Sequence, residues 1–243
     1  MKIAAVIPAR YKSSRFMGKP LVKIEGISMI ERVYRQVEKA GRFSDIIVAT
    51  DDLRIGDVVR KFGGTAILTS ANHRSGTDRL YEVLQNSDFE AAVNIQGDEP
   101  LVPEKLVAAV FDELETGRHK VVTAAYYNVS ADDFSSENVV KVVFDRQYNA
   151  LYFSRSPVPF TKNSDFSGFY QHIGIYGYLR DSIEAFVNFP ASGLEEVEKL
   201  EQLRFLENGI PIKIILTGEK SFGVDVPEDI QRIEKILKNR GKK

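Results

Sequence analysis

The first half of the chain alternates between two hydrophobic rhythms. "KIAAVIP", residues 2 to 8, is a continuous apolar run closed by Pro8, the way a strand covered on both faces of a parallel sheet reads. It is expected to be the first and central strand. From Ser28 onward, Ile30, Val33, Tyr34 and Val37 recur at helical spacing, and Gly41 is a natural stop. The alternation continues with strand "IIVAT" (46–50), a helix over 54–62 closed by Gly63 and Gly64, and strand "TAIL" (65–68). A helix near 77–86, strand "AAVNI" (91–95) and a helix opened by Pro103 and running to about Thr116 follow. Strands alternating with helices in this way predict an α/β fold whose mostly parallel central sheet is flanked by helices.

After "VVTAAYY" the texture changes. "NVVKVVFD", "NALYFSRSPVPF" and "YQHIGIYGYL" are β-rich, aromatic and broken by turns, so residues 123–180 are expected to form an antiparallel excursion without a strong helix. A helix from about Leu194 to Glu207, with Leu194, Val197, Leu200, Leu203 and Leu206 on its buried side, restores the earlier alternation. Strand "IKIIL" and a helix from 227 complete the pattern, and the final "GKK" is expected to fray. The expectation is one domain over 1–243, with 123–180 as a β-rich subregion.

Composition narrows the function classes. The 243 residues are 43% hydrophobic and 28% charged, ordinary for a globular chain and unlike a disordered one. No apolar run reaches bilayer-spanning length. "IAAVIP" is too short for a signal-peptide core, and no small-residue cleavage site follows it. The chain has no cysteine, which excludes disulfides and cysteine-ligated zinc and makes the cytoplasm the default expectation. With 33 basic and 34 acidic residues the net charge is -1, so no global field draws the protein to nucleic acid or membrane. An anion site must be local.

Ligands of open parallel sheets bind beyond the carboxyl ends of the strands, and three loops there stand out. The first, "IPARYKSSRFMGKPL" (7–21), carries Arg10, Lys12, Arg15 and Lys19 among Ser13, Ser14 and Gly18. It matches neither GxGxxG nor GxxxxGK[ST], so side-chain cations would have to neutralise a polyphosphate. The alternative is a solvated basic loop. Lys19, preceding Pro20, is expected in extended backbone. The second loop, "QGDEP" (96–100), sets Asp98 at a strand end, where a carboxylate can hold Mg²⁺ together with substrate phosphates; a plain turn has the same composition. In the third, "GVDVPED" (223–229), Asp225 is either a second metal ligand or, with Glu228, a capping-box-like helix start. Pairing with Asp98 would favour ligation. Ser75, Gly76 and Thr77 precede a helix and read as caps or as sugar or base contacts. His172 reads as a packed strand residue, and Glu198 and Gln202, four apart, as a solvated helical face. No Ser/His/Asp triad or histidine metal spacing occurs.

Taken in order, "IPARYKSSRFMGKPL", "VATDD", "SGTDR", "NIQGDEP", "KVV", "LYFSRSPVP", "HIGIYGY", "LEQLR" and "GVDVPED" resemble the 3-deoxy-manno-octulosonate cytidylyltransferases, or CMP-Kdo synthetases, from residue 3 to about 235. Met17 stands where that family usually has proline. The resemblance implies a nucleotide-diphospho-sugar transferase-like (Rossmann-like) fold with an antiparallel β excursion for dimerisation. It implies CTP and Kdo as substrates, Mg²⁺ as cofactor, and a homodimer serving lipopolysaccharide synthesis. It assigns Arg10, Ser13, Arg15 and Lys19 to the CTP phosphates, with Ser75, Gly76 and Thr77 also on the nucleotide. Asp98 and Asp225 would hold Mg²⁺. Gln96, His172, Tyr176, Glu198 and Gln202 would bind the acidic sugar, with Arg155 and Lys141 as anion partners. Lys12 is left as surface. The same chemistry on 8-amino-Kdo or sialic acid, and a catalytically silent nucleotide-binding protein, stay open as alternatives.

Overall fold

The computed structural model describes residues 1–12, 16–73, 75–162 and 166–240. The chain divides into two compact units, Met1–Ala108 with Ser221–Lys243, and Ala109–Lys220. The second contains the whole 123–180 subregion and extends beyond it at both ends.

In the first unit, β1 (Ile3–Ala9) is buried along almost its whole length, as its unbroken apolar run requires. It pairs in parallel with β4 (Asp45–Thr50) on one side and β6 (Ala91–Asn94) on the other, so it is central, and β5 (Thr65–Leu68) extends the sheet beyond β4. A small hairpin, β2 (Lys23–Ile24) with β3 (Ile27–Ser28), precedes α1 (Met29–Ala40). The Ser28 side chain accepts from the Glu31 amide at the start of α1, and Gly41 ends it at φ 63°, where glycine escapes the Cβ penalty of left-handed backbone. α2 (Leu53–Lys61) and α3 (Gly76–Gln85) pack on the sheet. Ile30, Val33, Ile55, Val59, Leu80 and Leu84 are fully buried with Ala4, Val6, Val48 and Val93. The unit boundary falls inside α4 (Glu104–Glu115). The last helix, α9 (Asp229–Arg240), begins two residues later than expected. Asp225 and Glu228 do not form the box there; instead Asp229 Oδ2 accepts from the amides of Asp225 (2.8 Å) and Val226 (3.2 Å).

In the second unit, β7 (Val121–Asn128) runs antiparallel to the eleven-residue β10 (Phe169–Leu179) and parallel to β11 (Ile212–Thr217). The expected antiparallel excursion is therefore flanked by a parallel neighbour. β8 (Lys141–Phe144) and β9 (Ala150–Ser154) form a hairpin beside β10. Two helices absent from the sequence reading are α5 (Ala131–Ser135), capped by Ser130, and α6 (Arg180–Asn188).

The single helix expected over 194–207 is broken. It forms α7 (Gly193–Glu198) and α8 (Leu203–Glu207), separated by Lys199 at φ 55°. The leucine stripe is split with it: Leu200 and Leu203 are buried, while Leu194 is 38% and Val197 81% exposed. The two pieces are clamped by Arg204, which donates to Glu195 through Nε (2.7 Å) and Nη2 (2.5 Å) while stacking on Phe186 at 4.1 Å. The break also lets Glu198 take three donors from the end of β9, described below.

The two glycines at the carboxyl end of β1 are explained by proximity. A Cβ on Gly97 would lie 2.6 Å from the carbonyl oxygen of Pro8, and one on Gly76 3.3 Å from the Pro8 ring. Both loops press onto the same strand end. Gly97→Ala is predicted to destabilise the fold by about 2 kcal/mol, because a backbone carbonyl must move. Urea unfolding reads this as a lower midpoint with unchanged slope, and an unaltered midpoint would contradict the close approach.

Candidate active site

In the first unit the chain leaves β1 into the basic loop and returns through Gly18, whose amide donates to Tyr11 O at 2.8 Å. Gly18 sits at φ 70°, in the left-handed region that favours glycine. Lys19 then opens a one-turn 3₁₀ helix (Lys19–Leu21) with Pro20 buried, rather than lying extended. The Gly18 turn and the proline ring, pre-set for a helix start, prevail over the steric bias on the residue before proline. Ser13 and Arg15 lie outside the described residues.

This turn aims Lys19 at the other two loops. Its ammonium pairs with Asp98 Oδ2 at 2.5 Å and donates to the Val224 carbonyl at 2.9 Å. The Val224 amide donates to Asp98 O at 2.9 Å. The "GKPL", "QGDEP" and "GVDVPED" stretches thus meet in one hydrogen-bonded junction. Asp225 lies one residue beyond it and is exposed. Both side chains of the ion pair keep some access to solvent, 14% for Lys19 and 33% for Asp98.

The junction opens on a cleft of about 470 Å³ lined by Pro8, Arg10, Lys12, Lys19, Gly76, Gln96, Gly97 and Asp98 among others. Among the described residues, three cations therefore face one cleft with one carboxylate. Lys12, expected as plain surface, is exposed but lines it too. Gly76 places the first turn of the ten-residue α3 at the cleft, and a helix N-terminus favours anions. Ser75 caps that helix in a reciprocal box, accepting from the Asp78 amide (3.1 Å) while Asp78 accepts from the Ser75 amide (3.0 Å). Thr77 is buried.

Two side chains the sequence reading passed over support this unit. Arg79 is fully buried, donating to Asp51 Oδ2 at 3.1 Å and to the Thr69 hydroxyl. It ties the carboxyl end of β4 to the loop after β5. "VATDD" and "SGTDR" each contain one partner, but nothing local in either announces the pair. Glu99 accepts from Ser221 Oγ at 2.5 Å. Burial, and secondarily the charge of Asp98, push its carboxyl up to about 7 against that hydrogen bond.

Six of the seven residues assigned to sugar binding, all but Gln96, lie in the second unit, on or near β8, β9, β10 and the α7–α8 break. The Glu198 carboxylate accepts from Ser154 Oγ (2.7 Å), the Arg155 amide (2.9 Å) and Tyr152 OH (3.2 Å). Burial raises its pKa, but these donors outweigh burial and hold it below the usual range. Glu198 is thus no freely solvated helical residue. The Arg155 guanidinium donates to the carbonyls of Glu198 and Glu137, both at 2.9 Å. Lys141 is fully buried, its ammonium donating to Ser136 O (2.7 Å) and Arg155 O (2.6 Å); it holds backbone rather than presenting a cation at the surface. Burial lowers its pKa.

His172 lies edge-on to Phe153 at 5.1 Å and beside Tyr176 at 5.4 Å. Burial holds its pKa down to about 3, so at neutral pH it is an uncharged imidazole. Tyr176 stacks on Tyr178, and its buried hydroxyl meets no well-formed hydrogen bond among the described residues, although the Thr123 hydroxyl lies close enough to act against the rise in its pKa that burial causes. Gln202 Nε2, on a side chain only 5% exposed, has no hydrogen-bond partner among the described residues, contrary to a solvated face. Orphaned buried polar atoms are costly, and two of them fit a unit that takes a polar ligand. The half-buried His172 also fixes a pH dependence. A folded pKa near 3, below the ordinary 6.5, means the unfolded chain binds the extra proton between those values. Stability from this group is complete above pH 6.5 and lost as pH falls toward 3. Chemical denaturation from pH 7 to 4 should show His172→Gln losing less stability than wild type; parallel curves would refute the neutral imidazole.

Comparison with known proteins shows the family. The family model described as Cytidylyltransferase matches residues 4–235. A 3-deoxy-manno-octulosonate cytidylyltransferase of Syntrophobacter fumaroxidans is 46% identical over 243 residues, covering 98% of this chain and 97% of its own. The solved structure of CMP:2-keto-3-deoxy-manno-octonic acid synthetase complexed with CTP superposes with a TM-score of 0.94 at 37% identity, over 99% of this chain and 100% of the other. A putative glucose-1-phosphate thymidylyltransferase from Bacillus anthracis shares the fold at a TM-score of 0.70 and 15% identity, over 96% of this chain and 94% of its own. The chain belongs to the cytidylyltransferase family and, within it, to the 3-deoxy-manno-octulosonate cytidylyltransferases.

Proposed function

We propose that the protein transfers CMP from CTP to the anomeric hydroxyl of Kdo, giving CMP-Kdo and pyrophosphate, as a cytoplasmic homodimer supplying lipopolysaccharide synthesis. The observation that carries this reading is the junction of Lys19, Asp98 and Val224 beside a cleft that also receives Arg10, in a chain of this family.

The chemistry follows from charge. The sugar acid and the triphosphate are both anions, so approach of the hydroxyl to the α-phosphate must be offset by fixed cations. The anomeric oxygen forms a bond to the α-phosphorus as the bond to the departing pyrophosphate breaks, and the hydroxyl proton passes to solvent. Arg10 and Lys19, with Arg15 by resemblance, neutralise the triphosphate and then the departing pyrophosphate. The Lys19 ammonium is balanced by Asp98. The donor set suits Mg²⁺: Asp98 and Asp225 offer hard carboxylate oxygens, and the backbone bond between Asp98 and Val224 brings their loops together, as few ligands as an ion completed by phosphates and water needs. When bound, that ion supplies positive charge at the α-phosphate and acidifies the attacking hydroxyl. In the second unit, the buried Tyr176 OH and Gln202 Nε2 are suited to a polar ligand, and Gln96 is assigned to the sugar by resemblance alone.

The homodimer is supported by apolar surface on the second unit. Phe160, 86% exposed, lines a cavity of about 430 Å³ with Phe134, Pro157, Pro159 and Phe166, and Val129 and Leu151 of the same unit are 70% and 63% exposed. Large exposed apolar side chains of this kind suit an interface.

Asp98→Asn is predicted to reduce pyrophosphate release from CTP and Kdo by at least about a thousandfold, with the circular dichroism of a folded protein. Wild-type release from that variant would remove Asp98 from the reaction. Lys19→Ala should lower kcat/KM by about a hundredfold or more and Lys12→Ala by less than about fivefold, because Lys19 is fixed at the junction and Lys12 is exposed. Equal small losses would return the basic loop to ordinary surface.

A further inference from the structure

The strand β10 is not regular where "HIGIYGY" lies. Ile173 pairs with Ala124, but the next residue of β7, Thr123, pairs with Tyr176. Gly174 would occupy that place in an unbroken ladder, so two residues are extra on β10. In a regular strand, residues four apart stand about 13 Å from one another. The rings of His172 and Tyr176 are instead 5.4 Å apart. The bulge brings the two side chains together, one known use of such irregularities.

Thr123 is fully buried beneath this bulge. Its hydroxyl oxygen lies 2.7 Å from Ile175 O, 3.3 Å from Ile173 O and 3.0 Å from His172 Nε2. A hydroxyl has one proton, and a carbonyl oxygen only accepts. The 2.7 Å contact therefore takes the threonine proton, since an undonated oxygen pair at that distance would repel. The remaining lone pairs of Oγ1 face Nε2, and that contact is a hydrogen bond only if Nε2 carries the ring proton. Among the described residues no hydrogen bond reaches Nδ1.

We propose that Thr123 is a positioning residue: it closes the β10 bulge and fixes His172 as the Nε2–H tautomer, so that Nδ1 is an acceptor that reads a hydroxyl or ammonium group of the substrate and not its carboxylate. This rests on the proposed function for the identity of the substrate and for the placing of His172 against it. An acceptor at Nδ1 discriminates by chemistry: a ligand group without a proton to donate leaves it unsatisfied, and a carboxylate meets it lone pair to lone pair. Gly174 of "HIGIYGY" and Thr123 of "VVTAAYY" thereby acquire a shared role, although they lie in separate strands.

The test uses full-length protein labelled with ¹⁵N at histidine. The chain has three histidines, so the ring spectra are few, and His172→Gln identifies the signal. Without substrate, wild type and Thr123→Ser are expected to show protonated Nε2 and unprotonated Nδ1, whereas Thr123→Val shows averaging between tautomers. In steady state, Thr123→Val should raise KM for Kdo about tenfold, as loss of one buried hydrogen bond implies, with KM for CTP and kcat within about twofold. Thr123→Ser should restore KM for Kdo. An Nδ1–H tautomer in wild type overturns the proposal. So does a Thr123→Val protein identical to wild type in tautomer and KM, or a Thr123→Ser protein as impaired as Thr123→Val. If Thr123→Val does not fold, the wild-type and Thr123→Ser spectra and KM values decide. The expected spectra with no turnover of Kdo would instead reject the substrate and leave the tautomer lock standing.

Discussion

The ammonium of Lys19, held between the Asp98 carboxylate and the Val224 carbonyl, is the constraint on which the first unit's site depends. It joins residues 79 and 205 positions apart in sequence, and the amide of Val224 closes the ring by donating to Asp98 O. A cation with two acceptors and a carboxylate with one strong donor cost little to hold partly out of water, whereas either alone would be expensive. On the proposed function, a polyphosphate would compete with Asp98 for Lys19, and a divalent cation would compete with Lys19 for Asp98. The missing glycine-rich signature follows from this. Gly18 is needed for one left-handed turn and Gly97 for one close approach to Pro8, while the charge is supplied by side chains.

The second unit is organised differently, by hydrogen bonds to backbone and to buried or half-buried polar side chains. His172 is uncharged, Glu198 has three donors, Lys141 binds backbone carbonyls, and Thr123 closes a bulge. This region is fitted to orient hydroxyls and amides. The division of labour suits a reaction between two anions. Strong fixed charge belongs near the phosphates, where it offsets repulsion and leaving-group charge, and weaker directional contacts suit a sugar whose hydroxyls must be told apart.

Much of this was legible in the residues. The continuous apolar run of β1, the Ser28 cap and Gly41 stop of α1, and the short "TAIL" strand all obey local rules, and the structure places them within a residue or two of expectation. Lys19, Asp98 and the Asp225 loop were named from strand-end position and family resemblance, and they meet. What failed did so through tertiary competition. The leucine spacing over 194–207 is genuinely helical, yet three donors on Glu198 and the Arg204–Glu195 clamp outweigh one uninterrupted helix, and Lys199 turns left-handed. Lys19 yields to the Gly18 turn. Arg79–Asp51 and Thr123–His172 were invisible because each joins side chains 28 and 49 residues apart, and no periodicity in either segment records the other.

The account stands most directly on the choice of substrates. Pyrophosphate release should be measured with the purified full-length protein and Mg²⁺ across the four common nucleoside triphosphates, each paired with Kdo, its 8-amino analogue and sialic acid. Turnover confined to CTP, and strongest with Kdo, is the predicted result. Silence with every pair would make the chain a nucleotide-binding protein without this chemistry, and preference for another nucleotide or for sialic acid would contradict the reading of both units.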